Sequence, residues 1–129
     1  MKPGDQIELK VTPDPYVTYR YAGASGDFNP IHIDEDFAKQ VGLPGRILHG
    51  LWTMAQVARA VTEAAGGPES LKQLSVEFRG LGRLGEEITV SGQVGEGESP
   101  GQLTASLEAV QAGKRIIRNA TARLSADQD

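Results

Sequence analysis

The sequence predicts an α+β domain, because helical patterns fill the first half of the chain and strand patterns fill the second. The longest apolar segment, His49–Ala65, lies between the two halves and has the pattern of a helix that is apolar on nearly all sides. After it, apolar residues recur at every second position, which is the spacing of half-buried strands. We therefore expect an antiparallel sheet curved around one buried central helix.

The first half of the chain is expected to hold one strand and two short helices. Gln6–Val11 alternates apolar and polar residues and predicts a strand. A short helix is expected over about Pro15–Ala24, because proline suits a first helical turn. A second helix is expected to begin near Ile33, with Asp34 as its N-cap and Gly42 as its stop.

Four segments with period-two patterns follow the central helix and predict an antiparallel meander. The segments are Leu74–Phe78, Ile88–Val94, Leu103–Ala109 and Ile116–Leu124. The turns between them are Gly80–Gly85, Gly95–Gly101 and Ala112-Gly113. The first turn matches the glycine pattern of dinucleotide-binding loops, but that pattern needs a helix after it, and here a strand pattern follows. We therefore predict a plain loop at this turn.

Length and composition narrow the classes of function. A chain of 129 residues fits one domain over residues 1–129. A net charge of −4 gives no electrostatic footprint for nucleic acid and no basic surface for a membrane. The absence of cysteine excludes disulfides and thiolate zinc sites. Because the chain has neither an apolar run long enough to span a bilayer nor the apolar stretch of a signal peptide, a cytoplasmic location is expected.

The stretch Tyr21–His32 holds the first candidate site. Asp27 follows a glycine at the expected end of a helix, and His32 lies beyond Pro30. Because proline disfavours helix at the preceding Asn29, we expect an extended or turned linker that brings both side chains onto one cavity. A carboxylate and an imidazole that face one water form a general acid–base pair, and the asparagine could position one of them.

Two other interpretations of these residues stay open. Asp, Asn and Pro are ordinary turn residues, so Asp27 could cap an Asx-turn and His32 could be a surface side chain. His32, Asp34, Asp36 and His49 could instead bind a metal, but their spacing matches no standard site. We therefore predict no metal.

The second candidate site lies at the start of the central helix, at His49-Gly50-Leu51. The first N–H groups of a helix have no partner within it, and the helix dipole adds positive potential there. Gly50 would let another molecule approach the backbone, so that an N–H could stabilise charge on a carbonyl oxygen. Equally, this glycine could serve only the close packing of the helix start.

These residues resemble the MaoC-like dehydratase family, which includes (R)-specific enoyl-CoA hydratases. The family signature is an aromatic residue and small residues followed by Ser-Gly-Asp-x-Asn-Pro-x-His, and it stands complete at Tyr21–His32. A later match is Gly42–Leu51, with the sequence Gly-Leu-Pro-Gly-Arg-Ile-Leu-His-Gly-Leu. Because the first motif is long and specific, the resemblance favours the acid–base interpretation over the turn interpretation.

The resemblance implies a hot-dog fold, dimers that join their sheets, and a hydro-lyase of fatty acid metabolism. By analogy with the family, Asp27 and His32 would hold the catalytic water, and Asn29 would support them. The Gly50 N–H would bind the thioester carbonyl, with His49 and Leu51 beside it in the substrate site. Water would add to C3 and a proton to C2 of a trans-2-enoyl thioester, without a metal or another cofactor.

The resemblance also bears on the substrate and the partners. The pantetheine arm of coenzyme A or of acyl carrier protein would deliver the substrate. Asn29–Met54 also resembles the catalytic subunit of the actinobacterial (R)-3-hydroxyacyl carrier-protein dehydratase, so a heterodimer is an alternative to a homodimer. Some hydratases of the family line the site with a serine of the central helix, where this chain has Thr53, Ala55 and Gln56. Trp52 could shape the acyl tunnel or be part of the core.

Two alternative functions share the expected fold. A hot-dog thioesterase would hydrolyse the thioester, but such enzymes use other residue sets, and the Asp27–His32 pair argues against one. A non-catalytic acyl-binding subunit would be expected to lack one member of the pair, whereas both are present.

Overall fold

The computed structural model describes residues 1–125, which form five strands and four α-helices. The strands are β1 (Gln6–Val11), β2 (Leu71–Phe78), β3 (Ile88–Glu96), β4 (Gln102–Gln111) and β5 (Lys114–Ser125). The helices are α1 (Val17–Ser25), α2 (Pro30–Ile33), α3 (Glu35–Gln40) and α4 (Gly50–Ala65), and a 3-10 turn covers Pro68–Ser70. The single domain predicted for residues 1–129 includes 126–129, which lie outside the described residues.

The strands form one antiparallel sheet whose order, β1-β3-β4-β5-β2, differs from the predicted meander at one strand. β3, β4 and β5 pair in sequence as expected, but β2 pairs with β5 rather than with β3. A hairpin between β2 and β3 would need a short loop, whereas residues 79–87 separate them. This crossover is the predicted plain loop, since a strand and not a helix follows it.

The central helix α4 contacts every strand of the sheet, so the sheet must curve around it. Its buried residues Val57, Ala60 and Val61 belong to a core that includes Val90 and Ile117 on the sheet. A curved antiparallel sheet around one long helix is the hot-dog fold, which confirms the predicted fold class.

The expectation that α4 is buried on nearly all sides is wrong for the single chain. The polar side chains of Thr53 and Gln56 are buried, while that of Leu51 is 62% exposed. The two buried polar side chains donate hydrogen bonds to carbonyl groups of their own helix, of Gly50 and Trp52 respectively. The number of apolar residues in α4 did not predict its burial, because many of them are alanines, and alanine favours helix whether or not it is buried.

The short helices of the first half have the predicted caps at Gly26 and Asp34, but α1 begins at Val17 and not near Pro15. α1 ends at Gly26, whose φ of 80° is the left-handed conformation that glycine adopts freely. Asp34 caps α3, because its carboxylate accepts a hydrogen bond from the Phe37 N–H, as predicted. None of the helices in residues 1–125 is both long and apolar enough to cross a bilayer.

Candidate active site

Asp27 lies in the turn that follows α1, and its two carboxylate oxygens have different surroundings. The Asp27 N–H donates to Ser25 Oγ at 3.1 Å, and the Asn29 N–H donates to Asp27 Oδ1 at 3.2 Å. The Asx-turn interpretation is therefore correct for Oδ1. The other oxygen, Oδ2, lies 3.8 Å from Nε2 of His32, so the same side chain also contributes to the predicted pair.

His32 is brought to Asp27 by one turn of helix, α2, where an extended or turned linker was expected. Asn29 keeps the extended backbone that a residue before proline prefers, with ψ of 129°, and only Pro30 begins the helix. Asn29 Oδ1 accepts a hydrogen bond from the Ile31 N–H at 3.2 Å. Asn29 thus supports the site as the cap of the helix that carries the histidine.

The orientation of the His32 ring determines which nitrogen faces the carboxylate. The ring is buried, at 7% exposure, and its Nδ1 lies 2.8 Å from the carbonyl oxygen of Ile47. Because a carbonyl oxygen only accepts hydrogen bonds, Nδ1 carries a proton and donates it. In the neutral ring Nε2 is then an acceptor, directed at Asp27. The 3.8 Å gap exceeds a direct hydrogen bond and suits a shared water.

His49 lies beneath the pair and contacts both of its members. Its ring stacks on the ring of His32 with centroids 3.8 Å apart and planes tilted by 19°. Its Nε2 lies 3.0 Å from the backbone carbonyl of Asp27, to which it donates. The ring is only 2% exposed, and Tyr21 packs against it at 4.8 Å. His49 therefore holds the backbone of the aspartate and the ring of the other histidine in one fixed arrangement.

The side chains of Asp27, His32 and His49 bring possible metal ligands within 4.8 Å of one another. The two imidazole rings are stacked and nearly parallel, so their in-plane lone pairs run side by side and do not converge on one ion. Asp34, which belonged to the alternative metal set, is engaged as the cap of α3. The geometry of this cluster fits an acid–base pair better than a metal site.

The start of α4 adjoins the pair through His49, which is the N-cap of that helix. The carbonyl of His49 accepts the first helical hydrogen bonds, from Trp52 and Thr53, so the Gly50 N–H is one of the free donors of the first turn. Gly50 is exposed, and a Cβ added there would lie 3.3 Å from Cε1 of Phe78. Glycine thus keeps open a gap between the helix start and this phenyl ring.

A cavity of about 460 Å³ is lined by residues of α1, of α4 and of the segment that precedes α1. Tyr21, Trp52 and Gln56 line part of its wall, and the tyrosine also packs on His49. Trp52 is partly buried against the core and also lines this cavity, and its role in shaping an acyl tunnel stays a prediction. The cavity is the candidate site for an apolar chain next to the pair.

The group that orients His32 was not predicted from the sequence. That group is the backbone carbonyl of Ile47, which lies fifteen positions from the histidine. A carbonyl is present at every residue, so only the path of the chain could have identified it. Tyr21 stood in the quoted motif, but its packing on His49 had no signal beyond its aromatic character.

Comparison with known proteins gives matches over nearly the whole chain. The family described as MaoC like domain matches residues 1–119. The enoyl-CoA hydratase ChsH3 of Mycobacterium tuberculosis is 32% identical over 91 residues, which are 69% of this chain and 31% of that protein. The chain covers still smaller shares, 4% and 5%, of two fungal fatty acid synthase β subunits that it also matches.

Solved structures share the fold. R-hydratase PhaJ1 from Pseudomonas aeruginosa superimposes with a TM-score of 0.90 at 23% identity, over 100% of this chain and 84% of that chain. A chain of the ChsH1-ChsH2 complex from Mycobacterium tuberculosis superimposes with a TM-score of 0.86 at 26% identity, over 98% of this chain and 99% of that chain. The fold, the Tyr21–His32 motif and the match over residues 1–119 agree, and the chain belongs to the MaoC like domain family.

Proposed function

We propose that this chain is a hydro-lyase that adds water to trans-2-enoyl thioesters, or removes it from (R)-3-hydroxyacyl thioesters. The observation that carries the proposal is the 3.8 Å approach of Asp27 Oδ2 and His32 Nε2. The name of the relative ChsH3, an enoyl-CoA hydratase, supports the same class of reaction.

The mechanism begins with a water held between the two catalytic side chains. The carboxylate of Asp27 and the neutral Nε2 of His32 are both acceptors, so the water donates both of its hydrogens to them. A lone pair of its oxygen is then free to attack C3 of the enoyl group. One proton passes to the acid–base pair as the C–O bond forms, and the other stays on the new hydroxyl group.

Negative charge moves during this step from the double bond to the thioester oxygen. The Gly50 N–H, at the positive end of the sixteen-residue helix α4, is the donor that meets this charge. The enolate then collapses and takes the proton from the pair at C2. The hydroxyl group of the water is then bonded to C3 and its proton to C2, and the pair returns to its initial state.

Three further residues assist this reaction without exchanging protons. Asn29 and His49 act as positioning residues, the first as the cap of α2 and the second through its contacts with Asp27 and His32. Leu51, which is 62% exposed beside Gly50, offers an apolar contact to the substrate.

The test is the reaction of the purified chain with crotonyl-CoA. Hydration removes the enoyl absorbance without releasing free thiol, whereas a thioesterase would release thiol. Asp27→Asn and His32→Ala should each lower kcat/KM by roughly a hundredfold or more, which is the scale of general acid–base catalysis. Asp36→Asn, on the exposed surface of α3, is the matched control and should leave the rate unchanged. Full activity in both site variants would refute the assignment.

A second copy of this chain is the proposed partner. Leu51, Phe78 and Leu81 are large apolar residues near the site, each more than half exposed in the single chain. Contact with a second hot-dog chain would cover such a surface. The ChsH1-ChsH2 complex shows that a chain of this fold also assembles with a different one, which keeps a heterodimer as the alternative.

A further inference from the structure

We propose that the basic cavity formed by the crossover loop, residues 79–87, and by the turn between β4 and β5 binds the phosphate groups of coenzyme A, an inference that rests on the proposed function. The cavity has a volume of about 800 Å³ and is separate from the acyl cavity beside Trp52. Its cationic lining residues are Arg79, Arg83, Lys114 and Arg115.

The cavity is positively charged, although the whole chain has a net negative charge. The chain has a net charge of −4, yet the cavity gathers four of its cations and one acidic residue, Glu86. Four of the five other arginines in residues 1–125 have a carboxylate partner within 4 Å, such as Arg20 with Asp14 and Arg118 with Glu77, and Arg123 is the exception. None of the four cavity cations has an ion pair of this kind within the described residues. Their charge is available to an anion from outside.

The backbone of the cavity is held firmly, although its charged side chains are exposed. The buried side chain of Gln111 donates from Nε2 to the carbonyls of Arg83 and Glu86, and its Oε1 accepts from the Arg83 N–H. On the opposite wall, the N–H groups of Arg79 and Gly80 both donate to the carbonyl of Ile116. The cationic side chains therefore start from fixed positions.

The crossover loop that carries Arg83 is also attached to the candidate active site. Ile47 forms a β-bridge with Arg83, and the Leu48 N–H donates to the carbonyl of Gly82 at 2.9 Å. Ile47 also accepts the hydrogen bond that orients His32. On the other wall, Arg79 directly follows Phe78, whose ring lies beside Gly50. A thioester at the helix start and phosphates in the cavity would thus contact neighbouring parts of one rigid unit.

The number and the setting of the cations favour coenzyme A over a carrier protein. Coenzyme A carries a pyrophosphate and a ribose 3′-phosphate, whereas the arm of a carrier protein carries a single phosphodiester. Four unpaired cations match the larger charge, and arginine binds phosphate with paired hydrogen bonds. A concave cavity also suits a nucleotide better than the convex surface of a folded carrier protein.

The test compares crotonyl-CoA with crotonyl-pantetheine, which has the same reacting group but no phosphate. In the double variant R83Q/R115Q, we expect KM for crotonyl-CoA to rise about tenfold or more, with kcat unchanged. KM for crotonyl-pantetheine should stay at the wild-type value. Arg123→Gln removes one exposed cation of β5 outside this cavity and should change neither constant. An equal change for both substrates, or no change for crotonyl-CoA, would overturn the proposal.

A parallel assay with a crotonyl carrier protein as substrate separates the two sources of phosphate. If R83Q/R115Q raises KM for the crotonyl carrier protein and leaves KM for crotonyl-CoA unchanged, the cavity serves a carrier protein and the proposal fails.

Direct binding distinguishes failure of this inference from failure of the proposed function. Calorimetry with free coenzyme A and with adenosine 3′,5′-bisphosphate needs no turnover. We expect the wild-type chain to bind both, the double variant to bind both more weakly, and added salt to weaken the wild-type affinity. Such binding without any hydratase activity would refute the proposed function alone. Hydration of crotonyl-CoA with affinities that are equal in wild type and variant would refute the cavity assignment alone.

Discussion

In the proposed mechanism, Asp27 combines a structural and a chemical task in one carboxylate. Oδ1 closes the turn by accepting from Asn29, which fixes the side chain, while Oδ2 remains directed at His32. His32 is constrained in the same way, since the bond from Nδ1 to Ile47 leaves Nε2 facing Asp27. In each residue one polar atom is used for position and the other remains for chemistry. This division explains how short-range turn residues can form a precise pair.

His49 tests this view of the site, because it contacts both members of the pair while lying beneath them. His49→Phe keeps an aromatic ring but removes the donor to the carbonyl of Asp27. We expect kcat to fall about tenfold or more with little change in KM, since a small misplacement of a catalytic group slows the reaction strongly. His49→Gln, whose amide can still donate, should recover part of the loss. A raised KM with unchanged kcat would instead make His49 a direct substrate contact.

The order of the strands determines where the site and the basic cavity lie. β2 is an edge strand of the sheet, next to β5. Residues 79–87 must therefore cross from this edge back to β3. That crossover passes the segment that leads into α4, and it holds Ile47 and Leu48 by backbone hydrogen bonds. The meander predicted from the period-two pattern would have left no such crossover.

Two glycines provide a matched test of packing in the strands and helices. Gly92 of β3 lies opposite Leu107 of β4, and a Cβ there would be 2.3 Å from the backbone oxygen of Ser106. Gly92→Ala should therefore lower the free energy of unfolding by about 1–3 kcal/mol, the usual cost of overpacking.

The control lies in α1, where a Cβ added to Gly23 would meet nothing within 4 Å. Gly23→Ala should raise the free energy of unfolding by up to about 1 kcal/mol, because alanine favours helix more than glycine does. Urea denaturation of both variants gives the comparison. Equal stability of Gly92→Ala and the wild type would contradict the described register of β3 and β4.

Local patterns predicted the elements well and their partners less well. The bounds of β1 are those predicted, because alternation over six residues is complete within the segment. The capping of α3 by Asp34 is equally local. α2 was not predicted, since a helix of four residues has almost no periodicity and depends on Asn29 and on its packing. The pairing of β2 with β5 depends on the path of a loop, which strand patterns do not contain.

The same distinction applies to the site. Asp27 and His32 were expected to meet because they are five positions apart around a proline, and they do lie close together. No spacing or motif in the sequence predicts the basic cavity. Arg83 lies in the crossover loop and Arg115 in β5, and only the position of β2 beside β5 brings these two segments together.

For the whole molecule, the exposed apolar surface around the start of α4 predicts association. The chain has a mass of 13.7 kDa, so light scattering behind a sizing column should give about twice that value for a homodimer. Phe78→Asp places a charge on that surface and should shift the mass toward the monomer, because an interface tolerates a buried unpaired charge poorly. Lys72→Asp, on the exposed part of the same strand, is the control. A monomer at all concentrations, in the wild type, would contradict this expectation and favour a different partner chain.

The central claim is that Asp27 and His32 direct one water to C3 of an enoyl thioester, and isotope labelling tests it most directly. In water enriched in ¹⁸O, mass spectrometry of the product of crotonyl-CoA should find the label in the C3 hydroxyl group. The thioester should stay intact, and the labelled product should nearly vanish with Asp27→Asn. Label in a released carboxylate, or undiminished label at C3 with Asp27→Asn, would contradict the claim.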